Sequence, residues 1–302
     1  LCELPRAIWA FQSRFLQTLD SGCGSFGTSI PARVSSWPGC GFLVSFFTLW
    51  RTSFRVKAIS MRVSLFITCL ADLFHPEIGL AMVTILRKHG VELVFPRGQT
   101  CCGQPAFNTG NWAEARSVAA RMLDVFESSE YVVSPSASCT AMIREGFPRL
   151  FVNDEALHAR SEALASRSFE FIEFLGKVLN IKSADARFDG RLTYHYTCHQ
   201  RALGMTTEAE DLVKSLQGVT YIPLEGKERC CGFGGAFSIK MPDLSGHLAN
   251  DKAERIIETG AEAVVVNDTG CIMNISGALK RRGVPVKVIH LARILSGEVT
   301  AP

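Results

Sequence analysis

The chain has 302 residues, 47% of them hydrophobic, and a formal net charge of +3. That length and composition allow two domains with ample cores, unlike a small secreted framework held by disulfides. The weak charge, with no basic stripe interleaved with aromatics, argues against a nucleic-acid binder.

Residues 1–60 look foreign to the rest. They carry six Lys or Arg against two acidic residues, three of the four tryptophans (Trp9, Trp37, Trp50), and no sustained helical or strand period. Their longest apolar run, Gly41 to Trp50, is far short of the ~20 residues that cross a bilayer. They are expected to be an unstructured or spurious extension upstream of a start at Met61. A transit peptide or a signal segment ending near Ser60 are the rivals. Cys2, Cys23 and Cys40 fall here and match nothing later.

From Met61 the pattern becomes regular. It predicts a strand over 62–67, a helix over 76–89, a strand over 91–95, a Cys-Cys-Gly loop, a helix over 111–127, a strand over 130–134, and a helix opened by Cys139. A helical stretch, Ser161 to Leu179, and a turn-rich segment, Asn180 to Gly190, follow. The order then repeats: strand 191–196, helix 207–217, strand 219–223, a second Cys-Cys-Gly loop, helix 244–260, strand 262–267, and a helix opened by Cys271. Val284 to Val288 is a last strand and His290 to Leu295 a last helix. Strands alternating with helices imply parallel sheets, so the expectation is an α/β protein of two tandem, pseudo-duplicated domains, 61–185 and 186–302.

The duplication is spelled in cysteine. Cys69, the pair Cys101 and Cys102, and Cys139 are answered by Cys198, the pair Cys230 and Cys231, and Cys271. In both sets the lone cysteine precedes its pair by 32 positions. Side-by-side cysteines are poor disulfide partners, because neighbouring Cα atoms lie only ~3.8 Å apart, so a reducing cytoplasm is the expected home. In open parallel sheets ligands gather beyond the carboxyl ends of the strands, and every one of these eight cysteines follows a predicted strand. Sulfurs gathered in fours serve iron–sulfur clusters or zinc. Adjacent cysteines point apart and so reach two metal atoms more naturally than one, which favours a multi-iron cluster, with zinc retained as an alternative at one site.

The Cys-x31-Cys-Cys-Gly pattern, with a fourth cysteine 37 to 40 positions on, resembles the cysteine-rich CCG domain family. Ser134-Pro135-Ser136-Ala137-Ser138-Cys139 and Cys230-Cys231-Gly232-Phe233-Gly234-Gly235 carry the likeness. Members of this family include the CCG-bearing chain of heterodisulfide reductase and the iron–sulfur subunit of glycolate oxidase. The stand-alone tandem members that serve lactate utilisation are the nearest in pattern. The resemblance implies one or two iron–sulfur clusters, of the four-iron type, held by the eight cysteines. It also implies an electron-transfer subunit of a complex oxidising L-lactate to pyruvate, partnered by a ferredoxin-like iron–sulfur protein and a third subunit. The rival readings are a thiol–disulfide oxidoreductase and a zinc-bearing scaffold without redox activity.

Two positions depart from the family pattern. Its fuller motif ends in Cys-x-x-Cys, whereas Ser136 and Asp268 stand at the first of those positions here and are expected to cap helices. His199, beside Cys198, is a candidate hydrogen-bond partner for sulfur, and His195 is expected to be a satisfied core histidine. Gly232-Phe-Gly-Gly lacks the spacing of a dinucleotide loop.

Overall fold

Runs such as Val63-Ser64-Leu65 and Ala263-Val264-Val265-Val266 are buried throughout, as strands covered on both faces must be. In the computed structural model, which describes residues 61–302, they form two four-stranded sheets. The expectations for residues 1–60 lie outside the described residues.

The first sheet contains β1 (Arg62–Leu65), β2 (Glu92–Val94), β3 (Tyr131–Ser134) and β4 (Ser168–Glu170), in the order β2-β1-β3-β4. The second contains β5 (Arg187–Tyr194), β6 (Gln217–Tyr221), β7 (Ala263–Val266) and β8 (Lys287–His290), in the order β6-β5-β7-β8. Every pairing is parallel. The order reverses beside the first strand of each sheet, which creates a crevice between β1 and β3 and another between β5 and β7.

In the first half the helices are α1 (Cys69–Phe74), α2 (Pro76–Lys88), α3 (Gln104–Asn108), α4 (Trp112–Val125), α5 (Ala137–Ala141), α6 (Phe147–Leu150), α7 (Glu155–Ser166) and α8 (Phe171–Lys177). A π-turn over Met142–Gly146 joins α5 to α6. The second half has α9 (Cys198–Ala202), α10 (Glu208–Lys214), α11 (Ala236–Lys240), α12 (Pro242–Glu258), α13 (Thr269–Arg281) and α14 (Leu291–Leu295). Helix α2 shows the logic of the longer ones. Pro76 starts it, where a missing N–H costs nothing, and Ile78, Ala81, Met82, Ile85 and Leu86 are buried at three- and four-residue spacing.

The expected parallel α/β duplication is what the structure contains, with two local corrections. The predicted helical stretch Ser161 to Leu179 is broken by β4, a fourth strand of only three residues and too short for its period to show. Glu170 then restarts the chain as α8: its carboxylate accepts from the backbone N–H groups of Ile172 and Glu173 in a capping box. The second correction is that β5 begins at Arg187, inside the segment expected to be turns. Gly190 and a register irregularity against β6 hide that first stretch.

The halves pack through matched contacts. α14 lies on α2 and α8 lies on α10; α13 meets α1 and α5 meets α9. Each contact maps onto its mate when the halves are exchanged, as in a two-fold interface. Met82, Leu86, Phe171, Phe174, Leu212, Leu291 and Ile294 belong to one buried cluster spanning both halves, while each half keeps an outer core of its own.

His290 ties this interface together. It is buried at the start of α14, its Nδ1 accepts from the Ala292 N–H, and its Nε2 lies 3.0 Å from the Pro135 carbonyl in the other half. A carbonyl only accepts, so Nε2 carries the proton and the ring is neutral. Burial pushes the imidazole down to about 4, against the Pro135 carbonyl, which favours its proton. An unfolded histidine binds a proton below about pH 6.5, whereas the folded one waits until near its lowered value. Stability from this group is therefore complete above pH 6.5 and falls by ~3 kcal/mol as pH drops through that window. We expect His290→Gln to flatten the fall in urea midpoint between pH 6.5 and 4, whereas an unchanged slope would contradict this account.

Candidate metal centre

All eight repeat cysteines line one cleft of about 380 Å³ between the halves. Cys69 and Cys198 open α1 and α9, just beyond β1 and β5. The two Cys-Cys-Gly triplets follow β2 and β6 and lead into α3 and α11. Cys139 and Cys271 are the third residues of α5 and α13, just beyond β3 and β7. Each quartet thus spans the crevice where its strand order reverses.

Within a quartet the sulfurs sort into an outer and an inner pair. Cys69 and Cys101 are half-buried with Sγ atoms 3.6 Å apart, and Cys102 and Cys139 are buried with Sγ atoms 3.4 Å apart. In the second half Cys198 and Cys230 are exposed to the cleft, while Cys231 and Cys271 are buried with Sγ atoms 2.9 Å apart. Cys101 pairs with Cys69 and Cys102 with Cys139, but the adjacent Cys101 and Cys102 sulfurs also stay within hydrogen-bonding reach of each other, where they were expected to point apart.

The electrostatics repeat as well. Hydrogen bonds from Cys102 and Cys69, with the Gly103 backbone N–H, hold the Cys101 thiol down to about 3. Hydrogen bonds from Cys198 and Cys231, with the Gly232 N–H at 3.3 Å, hold Cys230 down to about 2. Their donors move the other way: sharing a proton with Cys101 pushes Cys69 and Cys102 up, and Cys230 does the same to Cys198 and Cys231, with burial adding to each.

The first quartet has the spacing of a metal–sulfur centre, whereas the 2.9 Å between Cys231 and Cys271 is shorter than two thiolates on one metal adopt. Two thiolates on one tetrahedral metal with ~2.3 Å bonds lie ~3.7 Å apart, close to the 3.4 and 3.6 Å separations of the first quartet. The same spacing suits iron and zinc.

Ser136 and Asp268 prove to be the expected caps, and they are also joined. Ser136 Oγ accepts from the Cys139 N–H, and Asp268 Oδ1 accepts from the Gly270 N–H. The other Asp268 oxygen crosses to the first half, accepting from Ser136 Oγ at 2.9 Å and from the Ser138 N–H at 3.0 Å. One carboxylate therefore sits at the N-termini of both helices that carry a fourth cysteine. His199 takes the partner role weighed for it: its Nδ1 lies 3.5 Å from Cys198 Sγ and its Nε2 3.4 Å from Gln104 Nε2 across the cleft.

His195 lies in the core as expected but is only half satisfied. It is fully buried just beyond β5, and its Nδ1 faces the Lys227 carbonyl at 3.1 Å, but its Nε2 has no partner. A ring nitrogen of His195 and the Sγ atoms of Cys231 and Cys271 all lie within 4.8 Å of one another. Burial pushes the imidazole down to about 3.

The triplet glycines are not equivalent. Gly232 has φ +83°, and a Cβ there would stand 2.6 Å from the Ser245 carbonyl oxygen and 2.9 Å from Leu248 Cβ. Gly103 has φ +80°, but its nearest obstacle is Val118 Cγ1 at 3.4 Å. We expect Gly232→Ala to cost ~3 kcal/mol or more and Gly103→Ala ~1–2 kcal/mol, the cost of the left-handed backbone alone. Urea melts of the two variants check the ranking.

The cysteine pattern and the fold now meet comparison with known proteins. The model of the cysteine-rich domain, CCG, matches twice, over residues 63–144 and 192–276. The chain belongs to the CCG cysteine-rich domain family. It is 44% identical to Lactate utilization protein A of Geobacillus sp. (strain WCH70) over 78% of this chain and 99% of that one. To Lactate utilization protein A of Bacillus subtilis (strain 168) it is likewise 44% identical, with the same shares covered. Among solved structures, a glutamate racemase of Bacillus anthracis is similar at a TM-score of 0.32 and 13% identity, covering 79% of each chain. The two matched CCG regions contain all eight cysteines of the cleft. Among the described residues no helix is long and apolar enough to cross a membrane.

Proposed function

We propose that this chain is an iron–sulfur electron-transfer subunit of a cytoplasmic complex that oxidises L-lactate to pyruvate. The observation that carries the reading is the gathering of two matched cysteine quartets in one cleft. The names of the relatives supply the substrate. A cluster bound at each quartet would supply one-electron chemistry. The four-iron type is carried over from the family likeness of the cysteine pattern.

The residues of the chain then have separate tasks. Cys69, Cys101, Cys102 and Cys139 hold the first centre, and Cys198, Cys230, Cys231 and Cys271 the second. Asp268 and Ser136 fix the helices that present Cys139 and Cys271, and backbone N–H groups such as that of Gly232 donate to sulfur. Lactate gives up two electrons and two protons on becoming pyruvate. A ferredoxin-like iron–sulfur protein and a third subunit are the partners that complete this reaction.

Anaerobic purification with metal and sulfide analysis is the test. The expected result is a coloured protein holding iron and acid-labile sulfide, reduced by lactate only when its partners are present. Colourless protein with zinc and no labile sulfide would overturn the electron-carrying role and favour a scaffold. One observation favours a second reading. The outer cysteines of both quartets face the same open cleft, so a small disulfide could reach either centre. Turnover of such a disulfide by the isolated chain would replace the lactate assignment with a thiol–disulfide oxidoreductase.

A further inference from the structure

Beneath the cysteines the two halves differ. Three residues ahead of Cys69 stands Phe66; three ahead of Cys198 stands His195. On α4, Met122 occupies the position that Lys252 holds on α12, and all four side chains are buried. The floor of the first quartet is apolar: Phe66 packs edge-on against Phe126, and Met122 offers only a thioether, which accepts from the Thr100 N–H. The floor of the second is a nitrogen-bearing pair.

The hydrogen bonds fix how that pair is set. Lys252 Nζ donates to the carbonyls of Gly226 and Lys227, at 2.7 and 3.2 Å. The Lys227 carbonyl also faces His195 Nδ1. A carbonyl oxygen only accepts, so Nδ1 carries the ring proton and Nε2 is left with a bare lone pair. That lone pair is buried, has no hydrogen-bond partner, and belongs to a ring with a nitrogen within 4.8 Å of two cysteine sulfurs. A histidine held by Nδ1–H on a backbone carbonyl, with an unpartnered Nε2 and cysteine sulfurs close to the ring, is arranged as metal-binding histidines are.

We propose that the two centres differ in donor set: His195 Nε2 would join the cysteines of the second quartet as a ligand of that centre, whereas the first is held by sulfur alone. The inference rests on the iron–sulfur reading above. Lys252 is a positioning residue, since it braces the carbonyl that fixes the tautomer of His195. A neutral nitrogen ligand raises a cluster's potential relative to thiolate ligation, and the ammonium of Lys252 beneath the same sulfurs acts in that direction. The second centre is then the one reduced first.

The test uses the full chain, purified anaerobically, partly reduced, and carrying nitrogen-15 histidine. Electron spin-echo spectra are expected to show a directly bonded imidazole nitrogen that changes with the label. His195→Cys should abolish that coupling while keeping iron and sulfide, and should shift the midpoint of the same centre to lower potential. His195→Phe, which copies the first half, should also abolish it, and His199→Gln should keep it. Iron and sulfide present without a histidine coupling, or a coupling that survives His195→Cys, overturns the ligand assignment and leaves the iron–sulfur reading standing. Absence of iron and labile sulfide in the unmodified chain overturns both.

Discussion

Cys102→Ser should strip metal from the first quartet alone, leaving roughly half of the bound iron and sulfide, and Cys231→Ser should do the same to the second. These inner cysteines are the ones to change because they are buried and turned toward the fourth cysteine of their own half. A serine there offers a harder and shorter donor that a soft metal site disfavours. Structural metal sites of four ligands bind with ~10–16 kcal/mol in all, so one lost ligand is worth ~3 kcal/mol or about two orders of magnitude in affinity. The double variant should hold no iron. If either single variant lost all of it, the quartets would serve one shared centre, and the two-centre assignment would fall.

A second large effect is expected at Asp268. Asp268→Ala removes the acceptor for the Ser136 hydroxyl and the Gly270 N–H, both buried, and for the part-buried Ser138 N–H. Hydrogen bonds to charged groups contribute ~1.5–3 kcal/mol each, and orphaned buried donors add their own cost. We expect a loss of ~3–5 kcal/mol for alanine and a smaller one for asparagine, which keeps one oxygen as acceptor. Since the carboxylate braces both helices that carry a fourth cysteine, iron should leave both quartets faster when a chelator is added. Loss confined to the second quartet would mean that the crossing to Ser136 and Ser138 has no effect on Cys139.

The cysteines were legible because they are spelled twice at one spacing, and each follows a stretch that reads as a strand. The parallel sheets followed from the same alternation. The short strand β4 was not legible: Ser168-Phe169-Glu170 is too brief to show a period, and Glu170 reads equally as the middle of a helix. Nor could the sequence show that Asp268 and Ser136 meet. They stand 132 positions apart, and their contact exists only because the two halves face each other. His195 was missed for a related reason. A histidine among buried strand residues is ordinarily satisfied, and its orphaned nitrogen depends on where the Lys227 loop and the start of α13 come to lie. A signal was nonetheless present, since aligning the repeats sets His195 against Phe66 and Lys252 against Met122.

The exchange of contacts across the cleft, α14 on α2 and α8 on α10, has a historical consequence. Two separate copies of a single ancestral unit could have built the same face as a homodimer, with both crevices already opposed. Fusion into one polypeptide would then have freed each copy to diverge, and the imidazole and ammonium under one crevice, against phenylalanine and methionine under the other, are what such divergence leaves behind.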